Sequence, residues 1–168
     1  MHGGMISAVA AFLLVLLAAL KGEPKQRIRP NRTRRSSRPV LVDGSNVMHW
    51  VEGKPNLATV KLVVRDLQRQ GYAPTVWFDA NVGYLTRGRY LGPKDLASPV
   101  GLRRGYVSIA PRGTPADPLI LQSAKELRAP VVTNDRFRDW EETYPHLKAP
   151  GFLVSGTISQ GAVHLPMH

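Results

Sequence analysis

Short apolar runs that stop abruptly on polar or acidic residues constrain this chain more than any other feature. Pro39–Val42 halts at Asp43-Gly44, Thr75–Phe78 halts at Asp79, and Pro130–Thr133 runs into Asn134-Asp135. Tyr106–Ala110 is another run of this size. Each is strand-sized and bounded by turn residues. Helical patterns lie between them. From Asn56 to Gln70, residues Leu57, Val60, Val63, Val64 and Leu67 share one helical face, and Gly71 follows. Pro118–Leu127 turns Leu119, Ile120 and Ala124 inward behind an Asp117-Pro118 pair that reads as N-cap and first helical residue. Phe152–Val154 and Ala162–Leu165 read as closing strands, and Asp135–Glu142 as a short helix. Residues 80–105 are rich in Gly, Pro and Arg and show no period. Strands alternating with helices predict an α/β fold whose central, mostly parallel sheet is covered on both faces.

The amino-terminal part obeys other rules. Residues 5–20 carry no charge, whereas residues 21–38 hold eight Lys or Arg and one Glu. With the neighbouring glycines, the uncharged run approaches the roughly 17 to 20 residues that span a bilayer. The bases after it favour a cytoplasmic location for the rest of the chain. The expectation is therefore a single-pass transmembrane anchor at 1–20, a basic disordered linker at 21–38, and a cytoplasmic folded domain at 39–168. A cleaved signal peptide, giving a secreted or periplasmic domain, is the rival reading. The linker would act as a solvated spacer or touch anionic headgroups or nucleic acid. Of the formal charge of +11, 15 bases against 11 acids leave only +4 beyond residue 38.

There is no cysteine, which excludes a disulfide framework, a Cys-ligated zinc and a thiol nucleophile. No Gly-rich phosphate-binding motif follows a strand, so a nucleotide-binding domain is disfavoured. The acids are the chemistry this sequence offers. In open parallel sheets the working crevice lies beyond the carboxyl ends of the strands. Asp43 and Asp135 fall at such ends, and Asp117 opens the helix after the third strand. Asp139 stands four residues beyond Asp135, on the same face if the segment is helical. Asp79 ends the second strand and borders the group. Carboxylates gathered in one crevice repel unless protonated or bridged by a cation. A hard divalent ion, Mg²⁺ or Mn²⁺, suits such oxygen donors and activates water against a phosphodiester.

These residues also carry a resemblance. Val42-Asp43-Gly44-Ser45-Asn46-Val47 resembles the opening motif of NYN-domain ribonucleases, a branch of the PIN-like nucleases. Thr133-Asn134-Asp135-Arg136-Phe137-Arg138-Asp139-Trp140 resembles the later signature of the Regnase type, and Thr114 to Leu121 its central acidic motif. The likeness covers about residues 38–166. It implies a three-layer, PIN-like (Rossmann-like) α/β fold and Mg²⁺- or Mn²⁺-dependent cleavage of RNA. It assigns Asp43, Asp117, Asp135 and Asp139 to the catalytic metal cluster, with Asn46 bracing the first loop or meeting metal-bound water. Relatives often carry paired acids at the central motif, whereas here the first position is Ala116; Asp79 is a candidate replacement. The reduced acid count keeps a rival open, a non-catalytic RNA-binding module of the same fold.

Single-stranded RNA is the expected partner. Arg87, Arg89, Arg103 and Arg104 are interleaved with Tyr84, Tyr90 and Tyr106, a pattern that suits phosphate contact and base stacking. Arg112, Arg136 and Arg138 stand close in sequence to the acids and are candidates for the substrate phosphates. A membrane, through the first helix, is the second expected partner; a homo-oligomer stays open.

Overall fold

The computed structural model describes residues 38–167. The expected membrane anchor and nearly all of the basic linker lie outside the described residues. Among those described, no helix is long and apolar enough to cross a membrane.

Five strands form one parallel sheet: β1 (Arg38–Asp43), β2 (Tyr72–Phe78), β3 (Val107–Ile109), β4 (Val131–Val132) and β5 (Leu153–Val154). Their order is β3-β2-β1-β4-β5. The chain winds outward from β1 to β3, then returns to the other side of β1. The direction of winding thus reverses between β1 and β4, where doubly wound sheets leave a crevice at their carboxyl edge.

The period-2 alternation of β1 explains the layers. Val40 and Val42 face one side and Leu41 the other, all fully buried. The valines meet α2 (Leu57–Arg69), preceded by the one-turn α1 (Gly44–Val47), through Val60, Val63, Val64 and Leu67. Asn56 caps α2 by accepting the Ala58 N–H at 2.8 Å, and Gly71 leaves the helix with φ +85°. Leu41 and Val131 meet Ile120, Leu121 and Ala124 of the helix Asp117–Leu127 on the opposite face, so the domain has three layers.

Four local expectations are corrected. Residues 80–105 are not featureless: they form α3 (Val82–Arg87) and α4 (Pro93–Ala97), so the helix Asp117–Leu127 is α5. The third strand starts at Val107, because Tyr106 closes a 3-10 turn. The segment after β4 is an extended loop and one 3-10 turn, Arg138–Trp140, rather than a helix over 135–142. Phe137 takes φ +49°, which breaks any helix there. Of the two closing strands, the first joins the sheet as β5. The second, β7 (Ala162–His164), pairs antiparallel with β6 (Thr157–Ser159) in a separate hairpin. Ile158, Val163 and Leu165 of this hairpin region pack on the α2-side core, which gives its apolar residues a partner off the sheet.

Candidate acidic active site

Asp43 is the last residue of β1 and only 9 % exposed. Its Oδ1 accepts the Asn46 N–H at 3.0 Å, which caps α1, and its Oδ2 accepts the Thr133 hydroxyl at 3.0 Å across the switch point. The rest of the DGSN motif builds the loop around it. Gly44 is required by space, since a Cβ there would stand 2.5 Å from the Phe78 ring. The Ser45 hydroxyl accepts the Asp79 N–H at 2.8 Å, tying the loop to the end of β2. The Asn46 side-chain oxygen accepts both the Trp50 indole N–H at 2.8 Å and the Asn134 N–H at 2.9 Å. Asn134 in turn makes paired bonds to the backbone of Gly156, donating at 3.0 Å and accepting at 3.1 Å. Asn46 therefore braces the first loop against the loop after β4.

Asp79 follows β2, and its Oδ1 accepts the Ala116 N–H at 3.1 Å. Ala116, not Asp117, is the N-cap of α5; Asp117 is already helical and lends its side chain to no cap. The cap expectation fails because Asp79 reaches over from the neighbouring strand end to take an orphan N–H of α5. The Asp117 side chain is thereby left at the crevice, where its Oδ2 meets the Trp140 indole N–H at 3.4 Å. Asp135 is exposed, and its Oδ1 accepts the Phe137 N–H at 2.8 Å in a tight Asx turn.

The electrostatics join four of these acids. Burial pushes the Asp43 carboxyl up to about 6, and the charges of Asp117 and Asp79 add to this, against the lowering by its two hydrogen bonds. Burial also raises Asp117, with Asp135 and Asp79 contributing. Among the described residues neither carboxylate is in an ion pair. Asp139 is exposed on the 3-10 turn; without a helix, the shared face expected for Asp135 and Asp139 does not form.

The seven arginines divide by edge. Arg112 and Arg136 are exposed on the segments that follow β3 and β4 at the carboxyl edge, and Arg138 is exposed on the 3-10 turn. Arg87 and Arg89 flank the end of α3. Arg103 and Arg104 precede β3 and so lie toward the opposite edge of the sheet. Sequence reasoning missed Ser45, Thr133 and Trp50 as members of the framework. The signal for Ser45 was its place inside DGSN; for Thr133 it was a β-branched hydroxyl at the strand end beside Asp43.

The acids also supply a chemical test. Among the described residues no three acid or imidazole groups converge tightly around one point. The donor set nonetheless fits a hard divalent cation. All four acids offer oxygen, burial and then neighbouring negative charge disfavour ionised Asp43 and half-buried Asp117, and Mg²⁺ typically binds one or two carboxylates and keeps several waters.

Comparison with known proteins bears on the family and the fold. Residues 36–150 match the family model described as the Zc3h12a-like ribonuclease NYN domain. Among solved structures, the chain is similar to the crystal structure of nuclear proteinaceous RNase P 2 from A. thaliana, with TM-score 0.59 and 17% identity. A second structure, of Arabidopsis thaliana nuclear protein-only RNase P 2, gives TM-score 0.60 and 15% identity. Each likeness covers 99% of this chain but only 37% of the other, and at this identity it establishes the fold alone. No curated protein sequence matches the chain significantly.

Proposed function

We propose that this chain, which belongs to the Zc3h12a-like ribonuclease NYN-domain family, is a metal-dependent endoribonuclease working at the β1/β4 crevice. The observation that carries the reading is Asp43. It is a buried carboxyl held at the switch point, raised to about 6 by burial with Asp117 and Asp79 adding negative charge, and it has no ion-pair partner among the described residues. A structural carboxylate that buried would ordinarily be paired with a cation.

Asp43 and Asp117 would hold the ion directly, with Asp135 and Asp79 alongside and Asp139 approaching from its turn. Bound there, a divalent ion neutralises phosphodiester charge and lowers the pKa of water. The chain's own contribution is positional. Thr133 and the Asn46 N–H fix both oxygens of Asp43. Asn46 locks the two acidic loops together. Arg112, Arg136 and Arg138 offer donors to the phosphates on either side of the scissile bond. Arg87 and Arg89 extend this basic surface, whereas Arg103 and Arg104 are placed for the RNA only if it wraps to the far edge.

Ala116 favours one rival. At a position where the resemblance leads one to expect an acid it is buried and apolar, which supports an RNA-binding module without cleavage. Incubating the chain with labelled single-stranded RNA and DNA in Mg²⁺, Mn²⁺ or EDTA separates the two. Cleavage of RNA that EDTA stops supports the enzyme, whereas binding without cleavage under every metal supports the rival.

The uncharged run 5–20, followed by bases, supports tethering of a cytoplasmic nuclease domain to a membrane. Cell fractionation with alkaline extraction tests it: protein in the medium starting near Lys21 overturns the tether.

A further inference from the structure

Beside the acids, on the Asp79 side, lies a cleft of about 440 Å³. Its lining includes Asn81, Tyr84, Tyr90, Pro93, Ile109 and Arg112. We propose that this cleft takes one unpaired nucleobase of the RNA next to the scissile phosphate. The inference rests on the RNA-directed reading above and adds to it a base-binding subsite.

Four observations carry it. The two tyrosines are 59% and 61% exposed, the most exposed of the large apolar side chains that stand open to solvent. An unpaired aromatic ring at the surface contributes little to a core, but it offers a π-face for stacking on any base. Their position is also enforced. A Cβ on Gly83 would stand 2.4 Å from the Arg89 carbonyl and 2.5 Å from the Leu91 nitrogen. The backbone of α3 therefore lies directly against the segment that carries Tyr90, and this contact fixes the two tyrosines beside one cleft. Asn81 opens α3 without a side-chain capping bond, so its amide is available to a base edge. Finally, Asn81 lies two residues from Asp79 and Arg112 five from Asp117. A base in the cleft thus leaves its own phosphate near Arg112 and the acids. The chemistry fits a flat, uncharged ring attached to an anionic backbone better than an apolar helix, which would leave Asn81 and Arg112 without partners.

The test uses the full chain in EDTA, so that binding is read without cleavage. Two fluorescent probes of equal length and charge are compared by anisotropy: a single-stranded oligouridylate and an oligomer of abasic tetrahydrofuran phosphates. The basic stretch at 21–38 attracts both through their phosphates and does not discriminate between them. Wild-type chain is expected to bind the base-bearing probe on the order of tenfold more tightly. Tyr84→Ala and Tyr90→Ala should each shrink that ratio severalfold, and Tyr84→Phe should keep it, since the ring and not the hydroxyl stacks. Both tyrosines are exposed, and circular dichroism checks that the variants are folded. An equal ratio in wild type and both alanine variants overturns the subsite. Cleavage with no base preference removes the subsite and leaves the nuclease reading standing. Base preference without cleavage under any metal does the reverse.

Discussion

The Thr133 hydroxyl donates to Asp43 Oδ2 at 3.0 Å, and the same oxygen accepts the Asp135 N–H at 3.0 Å. One fully buried side chain at the end of β4 thus links the deepest acid of the crevice to the loop that carries the exposed Asp135. The bond to Asp43 favours the charged carboxylate, opposing the burial that raises it.

Thr133→Val should therefore act on both acids while keeping the shape of the side chain. Asp43 loses a donor, so its carboxyl moves further above about 6, and the Asp135 N–H is left without its acceptor. The expected cost is about 1–3 kcal/mol in stability. At limiting metal, the acid limb of the pH–rate profile should move to higher pH. Thr133→Ser keeps the hydroxyl and should leave that limb in place. A Val variant with an unshifted limb would show that the bond does not tune Asp43.

Asp43→Asn should abolish RNA cleavage, by at least a hundredfold, and stabilise the metal-free protein above pH 6. The sign comes from proton counting. The carboxyl titrates near 3.8 when unfolded and at about 6 when folded. Between these values the folded state keeps a proton that the unfolded chain has released, so stability falls as pH rises through the window. The accumulated loss reaches about 3 kcal/mol above it. Asn lacks this loss. It can still accept the Asn46 N–H and, once the Thr133 hydroxyl turns, donate to it. Chemical denaturation in EDTA at pH 4 and pH 7.5 checks this. The gain should appear only at the higher pH, and adding Mn²⁺ should narrow it by stabilising the wild type.

The layers were legible in the sequence because burial on both faces makes β1 a continuous apolar run and gives α2 and α5 helical spacing, whereas the strand order that sets the switch point was not. The acid at each strand end was legible for the same reason, as strands stop where polar residues begin. What was not legible depends on contacts distant in sequence. Asp135 and Asp139 have helical spacing, but Asp135 spends its oxygen on the Phe137 N–H and holds the segment in a turn. Asp117-Pro118 has the composition of a cap pair. It lies one residue too late because Asp79, 37 positions upstream of Ala116, takes that alanine's N–H. The two short helices within residues 80–105 lack a period because neither is long enough to show one.

Asp117→Asn should separate catalysis from capping. Since Ala116 holds the cap position, losing the Asp117 charge costs only its favourable place near the α5 N-terminus, about 0.3–1 kcal/mol. Burial, and then repulsion from Asp135 and Asp79, disfavour that charge in the folded state and raise its carboxyl, so their relief more than offsets this. The melting temperature should not fall, while metal-dependent cleavage should fall by at least tenfold. Unchanged cleavage would remove Asp117 from the site.

Gly44→Ala should damage the site through its floor. The new methyl would stand 2.5 Å from the Phe78 ring and 2.7 Å from a Val76 methyl, both in the packed α2-side core. Overpacking of this kind costs about 1–3 kcal/mol. Because Gly44 directly follows Asp43, the strain should also move the carboxylate. A lowered melting temperature together with a raised metal requirement is expected; Gly113→Ala, whose Cβ would meet nothing within 4 Å, should leave the metal requirement alone despite its own φ of +82°.

Ala116→Asp adds the acid that the family resemblance leads one to expect, and the structure sharpens what it should do. Residue 116 is only 5% exposed, so a carboxylate there enters a partly dry crevice already occupied by Asp43, Asp79 and Asp117. In EDTA this is unfavourable: burial and like charges both act against ionisation, and melting should fall at neutral pH more than at pH 4. With a divalent ion the balance reverses, because each added carboxylate strengthens the attraction for the cation. The metal concentration for half-maximal cleavage should therefore drop, and the melting temperature should rise more steeply with Mn²⁺ than in the wild type. Asp is also a good N-cap, but that benefit does not depend on metal, so the slope against Mn²⁺ distinguishes the two effects. Parallel Mn²⁺ titrations with equal slopes would show that residue 116 does not face the ion, and Ala116 would then be an ordinary buried cap rather than a missing ligand.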